Sequence, residues 1–147
     1  MMGSQMSGDN SNAARSPVPQ TKLSGLDVAK AVQYLQTKYA GSQPGHHCAR
    51  AIREAIEAGG LLLKNHPIEA KNYGPTLAAA NFVKISATDY TPQAGDIVVI
   101  QPYQGGNVAG HITMYDGSVW RSDFVQNDMW AGPGYRKNKP SHEVYRP

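Results

Sequence analysis

The stretch Gly45–Gly60 limits the possible folds more than any other part of this chain. Pro44 and Gly45 interrupt the backbone before it, and Gly59-Gly60 offer a left-handed cap after it. Between them Cys48, Ala51, Ile52, Ala55, Ile56 and Gly59 recur at helical spacing, while Arg50, Arg53, Glu54 and Glu57 lie mostly off that stripe. A helix with so small an apolar face can pack closely on a second layer. It also carries the only cysteine in 147 residues. That sulfur falls in the first turn, where unpaired N–H groups and the helix dipole favour a thiolate. A lone cysteine serves equally well as a small buried hydrophobe, and position alone does not separate the two.

Composition narrows the class. With 40% hydrophobic and 17% charged residues, the chain reads as one soluble globular domain. No apolar run reaches the roughly 20 residues of a membrane-spanning helix. No basic region followed by an apolar segment marks a secretory signal. One cysteine forms no internal disulfide. A net charge of +3, without a dense basic stripe interleaved with aromatics, gives no case for nucleic-acid binding.

Residues 1–21, rich in Ser, Asn, Gly and Pro, read as a flexible arm, and 22–147 as the domain. Ser24 or Asp27 can cap a helix over about 26–40, with Val28, Val32, Leu35 and Tyr39 on one face. The cysteine helix follows a turn at Gly41–Gly45. Residues 61–72 have no assignable period. Tyr73-Gly74-Pro75 opens a short helix, and Asn81 offers a left-handed exit. Strands are expected at 82–85, at Ile97–Ile100 after the turn Pro92–Asp96, and at 111–115 and 119–124 around Asp116-Gly117. The tail from Gln126 should wrap the sheet edge and end in a strand at Glu143–Tyr145. Helices first and strands later give an α+β fold with an antiparallel sheet.

A thiolate nucleophile needs a base, and the base needs an orienting partner. The histidines are His46, His47, His66, His111 and His142. Adjacent helical residues point about 100° apart, so His47 does not face Cys48, although His46 and His47 can line the mouth of a site. His111 follows Gly110 at the head of a strand, where another chain or a ligand can approach closely. A two-residue Asp116-Gly117 turn would pair His111 with Ser122. A three-residue loop would pair it with Asp123 and Met114 with Trp120, giving the imidazole an adjacent carboxylate. The second register is the expected one. Gln126 and Asn127 are the fallback partners, because an amide also fixes a tautomer.

Three segments in this order carry a resemblance: Gly45-His46-His47-Cys48-Ala49-Arg50, Pro92-Gln93-Ala94-Gly95-Asp96-Ile97-Val98, and Gly110-His111-Ile112. Over about residues 26–124 the chain resembles the CHAP and NlpC/P60 cysteine amidases, papain-like peptidoglycan hydrolases. The resemblance implies that Cys48 attacks an amide carbonyl in a peptidoglycan peptide stem, that His111 acts as base and then acid, and that Asp123 orients it. Asp96 would be scaffold. The oxyanion would be held by the Cys48 N–H and a donor from the preceding turn, His46 or His47 among the candidates. His47, Trp130 and Tyr135, with the loop 104–110, would wall the substrate cleft, and no cofactor or metal is implied. The size further resembles type VI secretion amidase effectors. That implies synthesis in a bacterial cytoplasm without a signal peptide, action in a rival's periplasm, and a periplasmic immunity protein seated on the cleft.

Two other readings stay open. The same Cys–His pair could serve an acyltransferase of this fold. A non-catalytic metal-binding or binding module could use His46, His47, Cys48 and His111, although successive side chains point apart and no Cys-x-x-Cys or His-x-x-x-His spacing supports it.

Overall fold

The computed structural model describes residues 24–147 apart from Ser42. The arm expected over 1–21 lies outside the described residues. Helix α1 spans Val28–Lys38 and α2 spans Cys48–Ala58. A single 3-10 turn at Ala70–Asn72 leads into α3, Tyr73–Ala79. Strands β1 (Val83–Ile85), β2 (Ile97–Ile100), β3 (His111–Tyr115) and β4 (Trp120–Arg121) follow, then α4 (Pro133–Asn138) and β5 (His142–Arg146). The fold is α+β, with every strand pair antiparallel and the order β1-β5-β2-β3-β4.

Local chemistry explains the helices. Asp27 caps α1, its carboxylate accepting from the Lys30 N–H at 3.1 Å. Val28, Ala31, Val32 and Leu35 form its buried face. On α2 the buried face is Ala51, Ile52, Ala55 and Ile56, the stripe read from the sequence. The Asp27 N–H donates to the Gly59 carbonyl at 2.9 Å, joining the start of α1 to the end of α2. A side chain at Gly59 would collide with Leu26 and the Asp27 carbonyl. The left-handed residue after α2 is Gly60, at φ 88°.

The sheet buries both faces at its centre. Ile97, Val99, Ile112 and Met114 meet the helices, while Val98, Ile100, Trp120 and Val144 pack with Tyr135 on the opposite face. This two-sided burial is why β2 reads as an unbroken apolar run.

Two parts of the C-terminal half depart from expectation. The hairpin after β3 pairs Tyr115 with Trp120 and Met114 with Arg121, so neither expected register forms. Asp116 is the cause. One of its carboxylate oxygens accepts from the N–H groups of Ser118 and Val119, at 2.7 and 2.8 Å, and the other takes the Arg121 guanidinium. This side-chain-built turn takes four residues. The chain then reverses at once, with the Ser122 N–H on the Phe124 carbonyl and the Gln126 N–H on that of Trp120. Strand β4 is therefore two residues long.

The tail does not wrap an edge. Strand β5 lies between β1 and β2 and pairs with both. Arg146 reaches Asp96 through two bonds of 2.8 Å each, and the fully buried Asp96 carboxylate also takes the Tyr90 hydroxyl at 2.7 Å and the Gln93 N–H at 2.9 Å. Asp96 is scaffold, as read from the sequence. Helix α4 was not foreseen, although Pro133 at its first position is a start signal. Removing one partner of a buried pair leaves an uncompensated charge. Asp96→Ala should therefore lower the unfolding free energy by about 3 kcal/mol in urea denaturation. Lys84→Ala, which breaks an exposed pair with Glu143, should cost under about 1 kcal/mol.

Candidate active site

The first residue of α2 and the first residue of β3 meet at one cleft. Its volume is about 400 Å³, and Cys48, His111, His47, Asp123, Phe124 and Tyr135 line it. Asn107, Ala109 and Gly110 bring the expected loop to its wall. Ile68 and Ala70 add a side from the segment without a readable period. Trp130 does not line this cleft: it packs edge-on against His142, ring centroids 5.2 Å apart, and borders a neighbouring depression.

Gly110 fixes His111. It takes φ 71°, and a Cβ there would run into the Ile100 carbonyl, so only glycine lets the loop come down onto β2 and begin β3 at this point. His111 is buried, and its Nε2 lies 2.8 Å from Gln126 Oε1. The Gln126 amide is oriented by two acceptors, since its Nε2 donates to the carbonyls of Asp128 and Met129 at 3.0 and 3.2 Å. Its oxygen is thereby turned to the ring and accepts the His111 Nε2–H. That tautomer leaves Nδ1 with a free lone pair. The partner of His111 is thus the fallback amide, delivered by the reversal at Ser122–Phe124.

Asp123 works elsewhere in the cleft. One carboxylate oxygen accepts from the Gly45 N–H at 2.7 Å and from the His47 N–H at 2.9 Å. His46 between them takes the left-handed conformation, φ 63°. The two amides thus converge on one anion, as in a backbone nest. His47, at the N-cap of α2, offers no side-chain cap of its own. The Asp123 carboxylate supplies that charge from across the chain and sets the turn that presents Cys48.

Burial favours the neutral forms of both Cys48 and His111. Burial pushes the Cys48 thiol above its ordinary range, and the charge of Asp123 adds to this. The N–H groups of Ile112, Ala49 and Cys48 pull the other way without winning. The helix terminus therefore does not yield the resting thiolate expected from the sequence. Burial likewise holds His111 below the usual histidine range, against the pull of its Gln126 bond and of Asp123.

Among the described residues no three His, Cys, Asp or Glu side chains converge as metal ligands would. No described helix is long and apolar enough to cross a membrane. If Asp123 holds the turn, Asp123→Ala should lower the unfolding free energy by about 2 kcal/mol. Asp123→Asn, whose amide oxygen can accept the same two bonds, should recover most of that loss in the same denaturation experiment.

No family profile and no curated protein matches the chain. Solved structures do. The native type VI effector–immunity complex Tae3–Tai3 from Ralstonia pickettii is similar at 38% identity and a TM-score of 0.72, over 82% of this chain and 98% of that one. The selenomethionine form of the Tae3–Tai3 complex is similar at 40% identity and a TM-score of 0.71, over 80% and 99% of the two chains. At that identity and coverage, the chain belongs to the family of the type VI effector Tae3.

Proposed function

We propose that the protein is a papain-like cysteine amidase of the NlpC/P60 type that hydrolyses amide bonds in peptidoglycan peptide stems. Its role is that of an antibacterial effector acting in a target cell's periplasm. The observation that carries this reading is one cleft lined by Cys48 and His111, with the His111 Nε2–H held by Gln126 at 2.8 Å, in a relative of Tae3.

The reaction follows from the tautomer. His111 Nδ1 takes the Cys48 proton as Sγ adds to the carbonyl carbon of the stem amide, and the C=O π pair moves onto oxygen. The Cys48 N–H, in the first turn of α2, faces the developing oxyanion. When the intermediate collapses, the amine departs with the proton carried on Nδ1, leaving a thioester on Cys48. A water molecule, deprotonated by the same nitrogen, then releases the acid and the thiol. Gln126 keeps the imidazole in register through both halves. Asp123 shapes the turn before Cys48 and does not bond the ring.

With both groups neutral at rest, the proton moves only when substrate fills the cleft. Iodoacetamide should thus modify Cys48 more slowly at pH 7 than a free thiol with pKa about 8.5, with the rate rising as pH climbs past that value. His111 loses its function as base only when protonated. The acid limb of kcat/KM should therefore fall below the free-histidine value of about 6.5, with activity declining as pH drops through that limb. Fast alkylation near pH 6 would contradict a neutral pair.

An effector of this kind needs a periplasmic inhibitor in the producing cell, and Ile68 and Val108, 94% and 70% exposed, offer apolar holds at and beside the rim. Exporting the full chain to the periplasm of a Gram-negative host should cause lysis and release wall fragments whose masses identify the cleaved amide. Cys48→Ala and His111→Ala should abolish both, while Gln126→Ala should lose less. Lysis by Cys48→Ala would end the cysteine reading.

A further inference from the structure

Tyr135 sits on the wall of the cleft, at the centre of α4. Its ring meets Tyr103 edge-on, centroids 4.9 Å apart, and lies 6.0 Å from the His111 ring. The residue is only 9% exposed, and its hydroxyl is buried without a hydrogen-bond partner among the described residues. A buried donor left unpaired is costly. Such a cost at a cleft wall is offset if the missing acceptor arrives with the ligand.

Two backbone donors in the turn before Cys48 are already occupied: those of Gly45 and His47 are both held by Asp123. The expected contribution of the His47 N–H to an oxyanion site is therefore not available, whereas the His46 and Cys48 N–H groups are not held by Asp123. Resting on the amidase reading, we infer that Tyr135 Oη is the second oxyanion donor, hydrogen-bonding the carbonyl oxygen of the scissile amide as it becomes negative. Burial, and then the charge of a Cys48 thiolate, push the phenol up to about 12, so Oη keeps its proton at any working pH. The contact strengthens as charge builds on the substrate oxygen. It therefore acts on the transition state more than on the bound substrate.

Tyr135→Phe tests this, since it removes one oxygen and keeps the ring packed against Tyr103 and His111. Turnover of a peptidoglycan stem peptide should fall about 100-fold in kcat with KM nearly unchanged. Affinity for a stem-peptide aldehyde, which adds to Cys48 and places an oxyanion in the same position, should weaken in parallel. Thermal stability should not fall, because the lost group is an unpaired donor. A second variant carrying 3,5-difluorotyrosine at this position should gain an alkaline loss of kcat, at the lower pKa of the fluorinated phenol, that the wild type lacks. Unchanged kcat and aldehyde affinity in Tyr135→Phe, or a rise in KM alone, would overturn the assignment. Cys48→Ala is assayed alongside. If the wild type turns over no faster than Cys48→Ala, the amidase reading fails and this inference with it. Cys48-dependent turnover that is indifferent to Tyr135→Phe overturns the inference alone.

Discussion

Ala51 and Ala55, neither with any exposed surface, let α2 pack closely in the core it shares with α1 and β3, together with Ile52 and Ile56. Larger residues at the alanine positions would lift the helix away. The approach sets more than the core, because α2 begins at Cys48 and packs on β3, which begins at His111. Held at this height, the sulfur comes within reach of the Ile112 N–H and shares a cleft with the imidazole. Cys48 and His111 are thus positioned by the buried packing of the helix and the strand that they begin. Precision at the site comes from rigid elements packed on each other, not from a loop.

Two carboxylates secure what that packing leaves loose. Asp96 ties the approach to β2 to the end of β5, so the last residues of the chain help to hold the strand under the helices. Asp123 fixes the turn that delivers Cys48. Each is buried and accepts backbone N–H donation, Asp96 from Gln93 and Asp123 from Gly45 and His47, yet they serve different parts of the molecule. Asp96 supports the sheet, and Asp123 supports the cleft. Neither bonds the histidine, whose partner is a neutral amide. A neutral partner adds little negative charge near the ring, which agrees with a histidine that burial keeps unprotonated.

The sequence was legible where a period or a single residue settles the matter. The α2 stripe, the Asp27 cap, the apolar run of β2 and the Gly110-His111 strand start all follow from local pattern. Cys48 and His111 stood out for the same reason. Hairpin register was not legible, because Asp116 accepts two backbone N–H groups and a guanidinium, and those bonds set the loop length. The choice between Asp123 and Gln126 hung on that register, and then on a reversal over three residues that no alternation of polar and apolar residues announces. Ile68 reaches the cleft from a stretch with no helical or strand period at all. Helix α4 spans six residues, too few for a hydrophobic repeat, so only Pro133 marked it.

The elevated thiol of Cys48 has a bearing beyond turnover. Peroxides and disulfides attack thiolates far faster than thiols. A sulfur that burial keeps protonated reacts slowly with both. As the chain's sole cysteine, it also has no internal partner with which to close a disulfide. In a compartment where thiols are oxidised as a matter of course, the burial that keeps this thiol protonated would also keep it reduced for longer.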